Sequence, residues 1–149
     1  MTKNEFITQI VGTQYVNRGY SLDGCDCYGL VYLYYKFVYE WESLITKEYK
    51  DYKDFSISFT AQLQEWQEVE KPNDGDCCFV CFSHNEPMHC GVYIGKNKVL
   101  HANGDHKTNM GQVQVWSMSL MKRYLSRYYK LNQEPVIKFY RPKELTCQS

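Results

Sequence analysis

Hydrophobic residues in the first half of the chain recur at the spacing of α-helices. Residues 4–14 carry one apolar face, and Gly12 is a natural stop near its end. From residue 27 to residue 45 apolar side chains recur every three or four positions, which predicts a helix of about five turns at the centre of the fold. Residues 58–69 have the pattern of a further short helix.

The second half of the chain changes to the period of two that is typical of β-strands. The change follows the turn cluster KPNDG at residues 71–75. Strands are predicted at residues 77–82, 88–94, 99–102 and 112–116. A hairpin connection at residues 95–98, a helix at residues 119–129 and a last strand at residues 136–140 complete the pattern. Helices followed by an antiparallel meander, without a linker, predict a single α+β domain over residues 1–149.

Charge and composition exclude two classes of function. The 17 Lys and Arg residues are balanced by 17 Asp and Glu residues, whereas a general nucleic-acid binder is clearly basic. No stretch of about 18 consecutive apolar residues is present, so membrane insertion is not expected. The first residues lack the apolar core of a secretory signal. We therefore expect a protein made in the cytoplasm, where its 7 cysteines stay free thiols.

Cys27 differs in position from the other cysteines. It follows Asp26 at the point where a Gly-containing loop meets the long predicted helix. A thiol at a helix N-terminus faces unpaired N–H groups and the positive end of the helix dipole, which favour the reactive thiolate. Cys27 is therefore the candidate nucleophile. A small buried residue or a simple cap is the alternative that the position alone leaves open.

His89 and His101 are the candidates for the base that such a nucleophile needs. An odd-numbered connection between their strands, or a bulge at Gly95, puts both side chains on one face of the sheet. A strict two-residue turn puts them on opposite faces, and the sequence leaves this register open. The catalytic interpretation requires the first arrangement, in which His89 takes the thiol proton and His101 fixes the orientation of the His89 ring. The alternative for each is an ordinary surface or core histidine.

A metal site is the other common use of cysteine and histidine. Cys78 and Cys81 have the CxxC spacing of a zinc knuckle. However, residues three apart on a strand point to opposite faces, and no second CxxC or HxxxH pair is present. We therefore expect no metal and no cofactor, with His84 and His106 as ordinary loop residues and Cys147 as a tail residue. The strand cysteines are expected to be apolar core residues: Cys77, Cys78, Cys81 and Cys90.

A series of segments, in order along the chain, resembles the motifs of the NlpC-type cell-wall cysteine peptidases. The run GCDCYGLV at residues 24–31 resembles the nucleophile motif Asp-Cys-x-Gly-Leu-Val, with Tyr28 where Ser is common. The run KPNDGD at residues 71–76 resembles the Pro-x-x-Gly-Asp strand entry. The runs HCGVYIG at residues 89–95 and VLHA at residues 99–102 resemble the two histidine segments.

The upstream run GTQY at residues 12–15 is similar to the Gly-x-Pro-Tyr segment of that family, with Gln14 in place of Pro. The resemblance implies a papain-like α+β core, in which the nucleophile helix packs on an antiparallel sheet that carries both histidines. It implies hydrolysis of an amide in the peptide stem of peptidoglycan, commonly the bond after D-Glu. Cys27 would be the nucleophile, His89 the base and then the acid, and His101 the orienting partner. Tyr15 would contact substrate, with ordinary core packing as its alternative.

The final run VIKFYRP at residues 136–142 is similar to the last strand of the tailed-phage tail-tip branch of this family. With no signal peptide and no cell-wall-binding repeats, the sequence predicts a phage or prophage tail-tip component of the virion. Its partners would be the peptidoglycan stem peptide and other phage tail proteins, in wall penetration or tail assembly. Two alternatives remain: a structural tail-tip protein with little catalysis, and a papain-like amidase or acyltransferase on another substrate. The complete Cys-His-His set favours an enzyme over a structural protein.

Overall fold

The chain begins with helices and continues into an antiparallel sheet, as the hydrophobic pattern predicts. The computed structural model describes residues 1–41, 65–82, 87–105 and 107–146, so His84, His106 and Cys147 lie outside the described residues. The described elements are α1 (Lys3–Ile10), β1 (Tyr20–Ser21), β2 (Gly24–Cys25), α2 (Cys27–Val38), β3 (Trp66–Val69), β4 (Cys77–Cys81), β5 (Pro87–Tyr93), β6 (Lys98–Asp105), β7 (Met110–Ser117), α3 (Met118–Tyr128), β8 (Val136–Pro142) and α4 (Lys143–Thr146). None of these helices has the length and apolar character needed to span a membrane.

A six-stranded sheet organises the described part of the chain, in the order β3-β8-β4-β5-β6-β7 with antiparallel neighbours. Alternate residues of β4 belong to two separate apolar clusters. Cys77 and Phe79 pack in the cluster that contains α2, whereas Cys78 and Val80 pack with Met121 of α3. The sheet is therefore covered by α2 on one face and by α3 on the other, as an α+β fold requires.

Helix α2 begins at Cys27 because Asp26 caps it. The buried Asp26 carboxylate accepts hydrogen bonds from the backbone N–H groups of Gly29 at 2.8 Å and Arg18 at 2.9 Å. One carboxylate thus satisfies a free N–H of the first helical turn and ties down the preceding loop. Asp26 therefore fixes where Cys27 enters the helix.

The end of α2 corrects the sequence prediction of a helix to residue 45. The helix ends at Val38, and Glu40 has a φ of 55°. A left-handed residue cannot continue a right-handed helix, so Trp41 lies outside it although its spacing is helical. Trp41 packs instead against Tyr35 and Trp66, with ring centroids 5.9 and 5.5 Å away. Residues 42–45 lie outside the described part.

The prediction of a helix over residues 58–69 is wrong at its described end. Trp66–Val69 forms β3 and pairs with β8, Trp66 opposite Pro142 and Val69 opposite Phe139. Tertiary pairing with an available sheet edge outweighs a weak helical pattern over so few residues. Helix α1 also ends earlier than predicted, at Ile10, because Val11 is extended and Gly12 has a φ of 91°.

The segment KPNDGD links the entrance of β4 to the last strand. Asp76 is buried and receives a two-pronged ion pair from Arg141 of β8, with both N···O distances at 2.7 Å. The other contact of this carboxylate is the backbone N–H of Asn73, at 2.6 Å. A carboxylate that is ion-paired and hydrogen-bonded in this way has a structural role. We therefore assign this motif to the stability of the sheet and not to the candidate reaction centre.

The close packing of Gly29 against the backbone of Gly19 leads to a prediction about stability. A Cβ at this position would lie 1.9 Å from the backbone oxygen of Gly19, which cannot move like a side-chain tip. We expect Gly29→Ala to destabilise the fold by about 1–3 kcal/mol or more and to lower Tm by at least about 3 °C. Thermal unfolding followed by circular dichroism measures this, with Ser119→Ala at an exposed position of α3 as the control. Equal Tm values for the two variants would contradict the predicted clash of an added Cβ with the Gly19 oxygen.

Candidate active site

Cys27 lies half-buried at the first residue of α2, on the wall of a cleft with about 440 Å³ of empty space that opens to solvent. Tyr15 and His89 line the same cleft. The nucleophile candidate, its candidate base and the candidate substrate contact are therefore brought together, although they come from three separate segments of the chain.

The β5–β6 hairpin places His89 and His101 on one face. The backbone N–H of Ile94 bonds the Lys98 oxygen at 3.0 Å, which closes a connection of three residues, Gly95 to Asn97. All three have positive φ values, of 89°, 52° and 59°. Val92 then pairs with Leu100 and Tyr93 with Val99, so the odd-numbered alternative of the sequence analysis is the one observed.

His89 and His101 are in direct contact. Nε2 of His89 lies 2.9 Å from Nδ1 of His101, a hydrogen bond between two buried rings. Since Nε2 of His89 faces His101, Nδ1 is the His89 nitrogen left for Cys27. This is the geometry of a base whose ring orientation is set by a second residue.

The surroundings of Cys27 favour its thiolate. The pKa of Cys27 is lowered well below its ordinary value, first by a hydrogen bond from the Cys90 thiol. Burial opposes this, but the hydrogen bond and charge of His89 and the backbone N–H of Cys90 lower the pKa further. A thiolate is the nucleophilic form of cysteine, so these surroundings favour the state that a nucleophile requires.

Cys27 is set apart from the other described cysteines. Burial is the largest cause that raises the pKa of each of the other five above its ordinary value: Cys25, Cys77, Cys78, Cys81 and Cys90. Such thiols stay protonated near neutral pH and pack as small apolar residues. Among the described residues, no group of three or more His, Cys, Asp or Glu side chains is arranged to hold a metal ion.

His101 is held neutral. Burial, and after it the charge of His89, keeps the pKa of His101 well below its ordinary value. The Trp116 ring lies against it, with centroids 4.6 Å apart and planes at 64°. Nε2 of His101 is buried and has no hydrogen-bond partner among the residues that the structure describes. A neutral ring with a free Nδ1 lone pair accepts a hydrogen bond from His89 Nε2–H, so a proton that His89 takes from the Cys27 thiol is carried on Nδ1 of His89, towards Cys27.

Tyr15 is both a cleft residue and a packed one. Its backbone N–H bonds the Gly111 oxygen at 3.0 Å, and its ring lies on Gly104, where an added Cβ would come within 2.2 Å of the ring. Burial, followed by the charges of Cys27 and Asp26, raises the pKa of the Tyr15 hydroxyl. The hydroxyl therefore stays protonated near neutral pH and is able to donate a hydrogen bond in the cleft.

Three tyrosines of the cleft were not assigned to the site from the sequence. Tyr124, Tyr128 and Tyr129, from α3 and its end, line the same cleft as Cys27 and form a tyrosine wall. The rings of Tyr124 and Tyr128 stack at 6.0 Å, and Tyr124 also contacts Trp116 at 5.2 Å. Their helical spacing predicts the helix, but only the packing of α3 on the sheet brings them to the cleft. The high tyrosine content, 14 residues, is the one signal in the sequence that points to such a wall.

Comparisons with known proteins identify the family of this chain. Residues 12–129 match the model of the NlpC/P60 family. The Bacillus subtilis (strain 168) protein named "Probable peptidoglycan endopeptidase LytE" is 28% identical over 99 residues, which are 64% of this chain and 25% of that protein. The chain thus spans about a quarter of the length of that relative.

Two solved structures share the fold. The NlpC/p60 domain of the peptidoglycan hydrolase SagA has a TM-score of 0.59 at 18% identity, over 91% of this chain and 93% of that one. An NLP/P60-family protein from Staphylococcus aureus, described as similar to lipoprotein, has a TM-score of 0.52 at 21% identity, over 91% and 38% of the two chains. The helix on an antiparallel sheet described above is therefore the papain-like fold of these proteins. With the family match covering most of its length, including the nucleophile loop and both histidine strands, this chain belongs to the NlpC/P60 family.

Proposed function

We propose that this protein is a cysteine peptidase that hydrolyses an amide bond in the peptide stem of bacterial peptidoglycan. The observation that carries the proposal is the cleft that Cys27 and His89 line together, with His101 hydrogen-bonded to His89 at 2.9 Å. The family match and the names of LytE and SagA support peptidoglycan as the substrate.

The proposed reaction begins with attack of the Cys27 thiolate on the carbonyl carbon of the scissile amide. The carbonyl electron pair moves to oxygen, and the Cys27 backbone N–H at the helix start is positioned to stabilise this oxyanion. Protonated His89 gives its proton to the amine as the C–N bond breaks, which leaves a thioester on Cys27. His101 accepts a hydrogen bond from His89 Nε2–H throughout and remains neutral.

The second half returns the enzyme to its starting state. Neutral His89 takes a proton from water as the water oxygen attacks the thioester carbonyl. The C–S bond breaks, a carboxylic acid leaves, and Cys27 is a thiolate again. No metal or cofactor enters this sequence. Tyr15 donates a hydrogen bond to the substrate, and the tyrosine wall of α3 lines the same cleft.

Digestion of purified peptidoglycan tests the proposal. We expect incubation with the protein to release new stem-peptide fragments, whose masses identify the cleaved bond, and we expect none with Cys27→Ala. A folded wild-type protein that leaves peptidoglycan unchanged but hydrolyses or transfers another acyl group would instead favour the amidase or acyltransferase alternative. No activity on either class would favour the structural alternative.

We further propose that the protein acts at the tip of a phage or prophage tail. Similarity of the Val136–Pro142 strand to that of the tail-tip branch supports this setting. In that setting its partners are other tail proteins, and wall cleavage serves penetration or tail assembly. Mass spectrometry of purified particles from the source cells tests it, and particles that lack the protein would contradict it.

A further inference from the structure

The tyrosine wall of the cleft takes no part in the proposed chemical steps. Its three members, Tyr124, Tyr128 and Tyr129, are 38%, 44% and 39% exposed. Met121 of the same helix is fully buried in the core, so α3 is anchored on one side and presents its tyrosines on the other. Large aromatic side chains that remain exposed in a cleft, beside candidate catalytic groups, are typical of a surface that contacts a ligand.

Ring contacts hold the wall in one arrangement. The rings of Tyr124 and Tyr128 are nearly parallel, with planes 16° apart and centroids 6.0 Å apart. Tyr124 packs edge-to-face on Trp116 of β7 at 5.2 Å. Tyr129 contacts Tyr128 at 4.9 Å and Phe82, the residue after β4, at 5.8 Å. The wall is thus fixed to the sheet at both ends, and a preformed surface of this kind loses little conformational entropy when a ligand binds.

The charge of the cleft indicates which part of the proposed substrate the wall contacts. No Lys, Arg, Asp or Glu is among the described residues that line it, and the arginines of α3, Arg123 and Arg127, are exposed outside this lining. Peptidoglycan joins neutral, N-acetylated sugar rings to a stem peptide that carries carboxylates. Recognition of carboxylates calls for a cation, most often arginine, and the wall offers none.

A sugar ring fits the chemistry of the wall. One face of such a ring consists of C–H groups, which pack on aromatic rings, and its edge carries hydroxyl and acetamido groups. Tyrosine supplies an apolar ring and a hydroxyl that stays protonated near neutral pH. Asn103, which lines the same cleft two residues after His101, adds a neutral amide that both donates and accepts hydrogen bonds.

We propose that the tyrosine wall is a carbohydrate subsite, which stacks on a sugar ring of the glycan chain and so places the attached stem peptide at Cys27. The inference rests on the proposed function, because it takes peptidoglycan as the substrate. Its consequence is a preference of the enzyme for stem peptides that still carry their sugar.

Tyr128 is the residue at which the subsite is tested. Tyr124 packs on Trp116, which packs on His101, so a substitution of Tyr124 also disturbs the candidate orienting histidine. Tyr128→Leu keeps an apolar side chain but removes the aromatic face, whereas Tyr128→Trp keeps an aromatic face. Leu120→Ala is the matched control, because Leu120 lies one turn earlier on α3, is 41% exposed and is not part of the cleft lining.

Binding is measured by isothermal titration calorimetry in Cys27→Ala protein, which is not expected to cleave its ligand. The two probes are a muropeptide that bears its disaccharide and the same stem peptide without the disaccharide. We expect the muropeptide to bind about tenfold more tightly. Tyr128→Leu should abolish this preference, whereas Tyr128→Trp and Leu120→Ala should retain it. Circular dichroism checks the fold of each variant, and Tyr129→Leu replaces Tyr128→Leu if the latter does not fold.

Equal affinity of the two probes would overturn the inference. So would a folded Tyr128→Leu protein that binds both probes more weakly by the same factor, because the wall would then contact the peptide.

Hydrolysis of the same two probes by protein with Cys27 intact gives a second readout. We expect kcat/KM to be about tenfold higher for the muropeptide, through a lower KM, and this ratio to approach one in Tyr128→Leu. Cleavage of both probes with equal kcat/KM would contradict the subsite and leave the proposed function standing. Tighter binding of the muropeptide without any cleavage would contradict the proposed function and leave the subsite standing.

Discussion

Replacement of Cys27 by alanine is expected to abolish peptidoglycan hydrolysis and to leave the fold intact. The side chain is half-buried at the cleft wall and the first helical position tolerates alanine, so little packing is lost. The loss of the nucleophile should lower the rate of bond cleavage by at least about 10⁴-fold. Release of stem-peptide fragments, followed by mass spectrometry, measures this rate.

The control for Cys27→Ala is a cysteine of the same chain that lies away from the cleft. Cys78→Ala removes a buried thiol on the α3 face of β4, and its activity should stay near wild type once folding is checked by circular dichroism. Cys27→Ser tests the sulfur itself, because a serine hydroxyl at this position is far less ionised and should also be inactive. A folded, fully active Cys27→Ala protein would contradict the proposed mechanism.

The candidate site could be proposed from the sequence because its parts lie at the junctions of local elements. Cys27 was predicted at the start of a strongly apolar helix, where the structure places it, and the structure adds that Asp26 caps this helix. His89 and His101 stand on two strands joined by a short connection. The sequence left open only whether the two side chains lie on the same face of the sheet. The answer depends on whether two or three residues form the turn, and the turn has three, Gly95, Lys96 and Asn97, all with positive φ values.

The features that could not be predicted from the sequence depend on contacts between distant segments. β3 exists because β8 offers an edge to Trp66–Val69, and no local pattern carries that information. The early end of α2 coincides with the left-handed Glu40, after which Trp41 packs against Tyr35 and against Trp66 of β3.

The two histidines are expected to differ in how much activity their loss removes. His89 must accept a proton and return it to the leaving amine, which no amide side chain does near neutral pH. We therefore expect His89→Ala and His89→Gln to lower peptidoglycan hydrolysis by at least about 10³-fold. The same variants should raise the midpoint of the pH profile for alkylation of Cys27 by iodoacetamide, because the His89 hydrogen bond and charge are among the causes that lower the Cys27 pKa.

His101 has a simpler proposed role than His89, since it only accepts a hydrogen bond from the His89 ring. The oxygen of an asparagine or glutamine side chain accepts the same bond, so His101→Asn and His101→Gln should keep partial activity, reduced about 10- to 100-fold. His101→Leu, which has no acceptor, should fall well below both amide variants. Circular dichroism must accompany these rates, because His101 is buried against Trp116 and a shorter side chain loosens that contact. Equal and complete loss in folded His89→Ala and His101→Gln proteins would mean that the base has been assigned to the wrong ring.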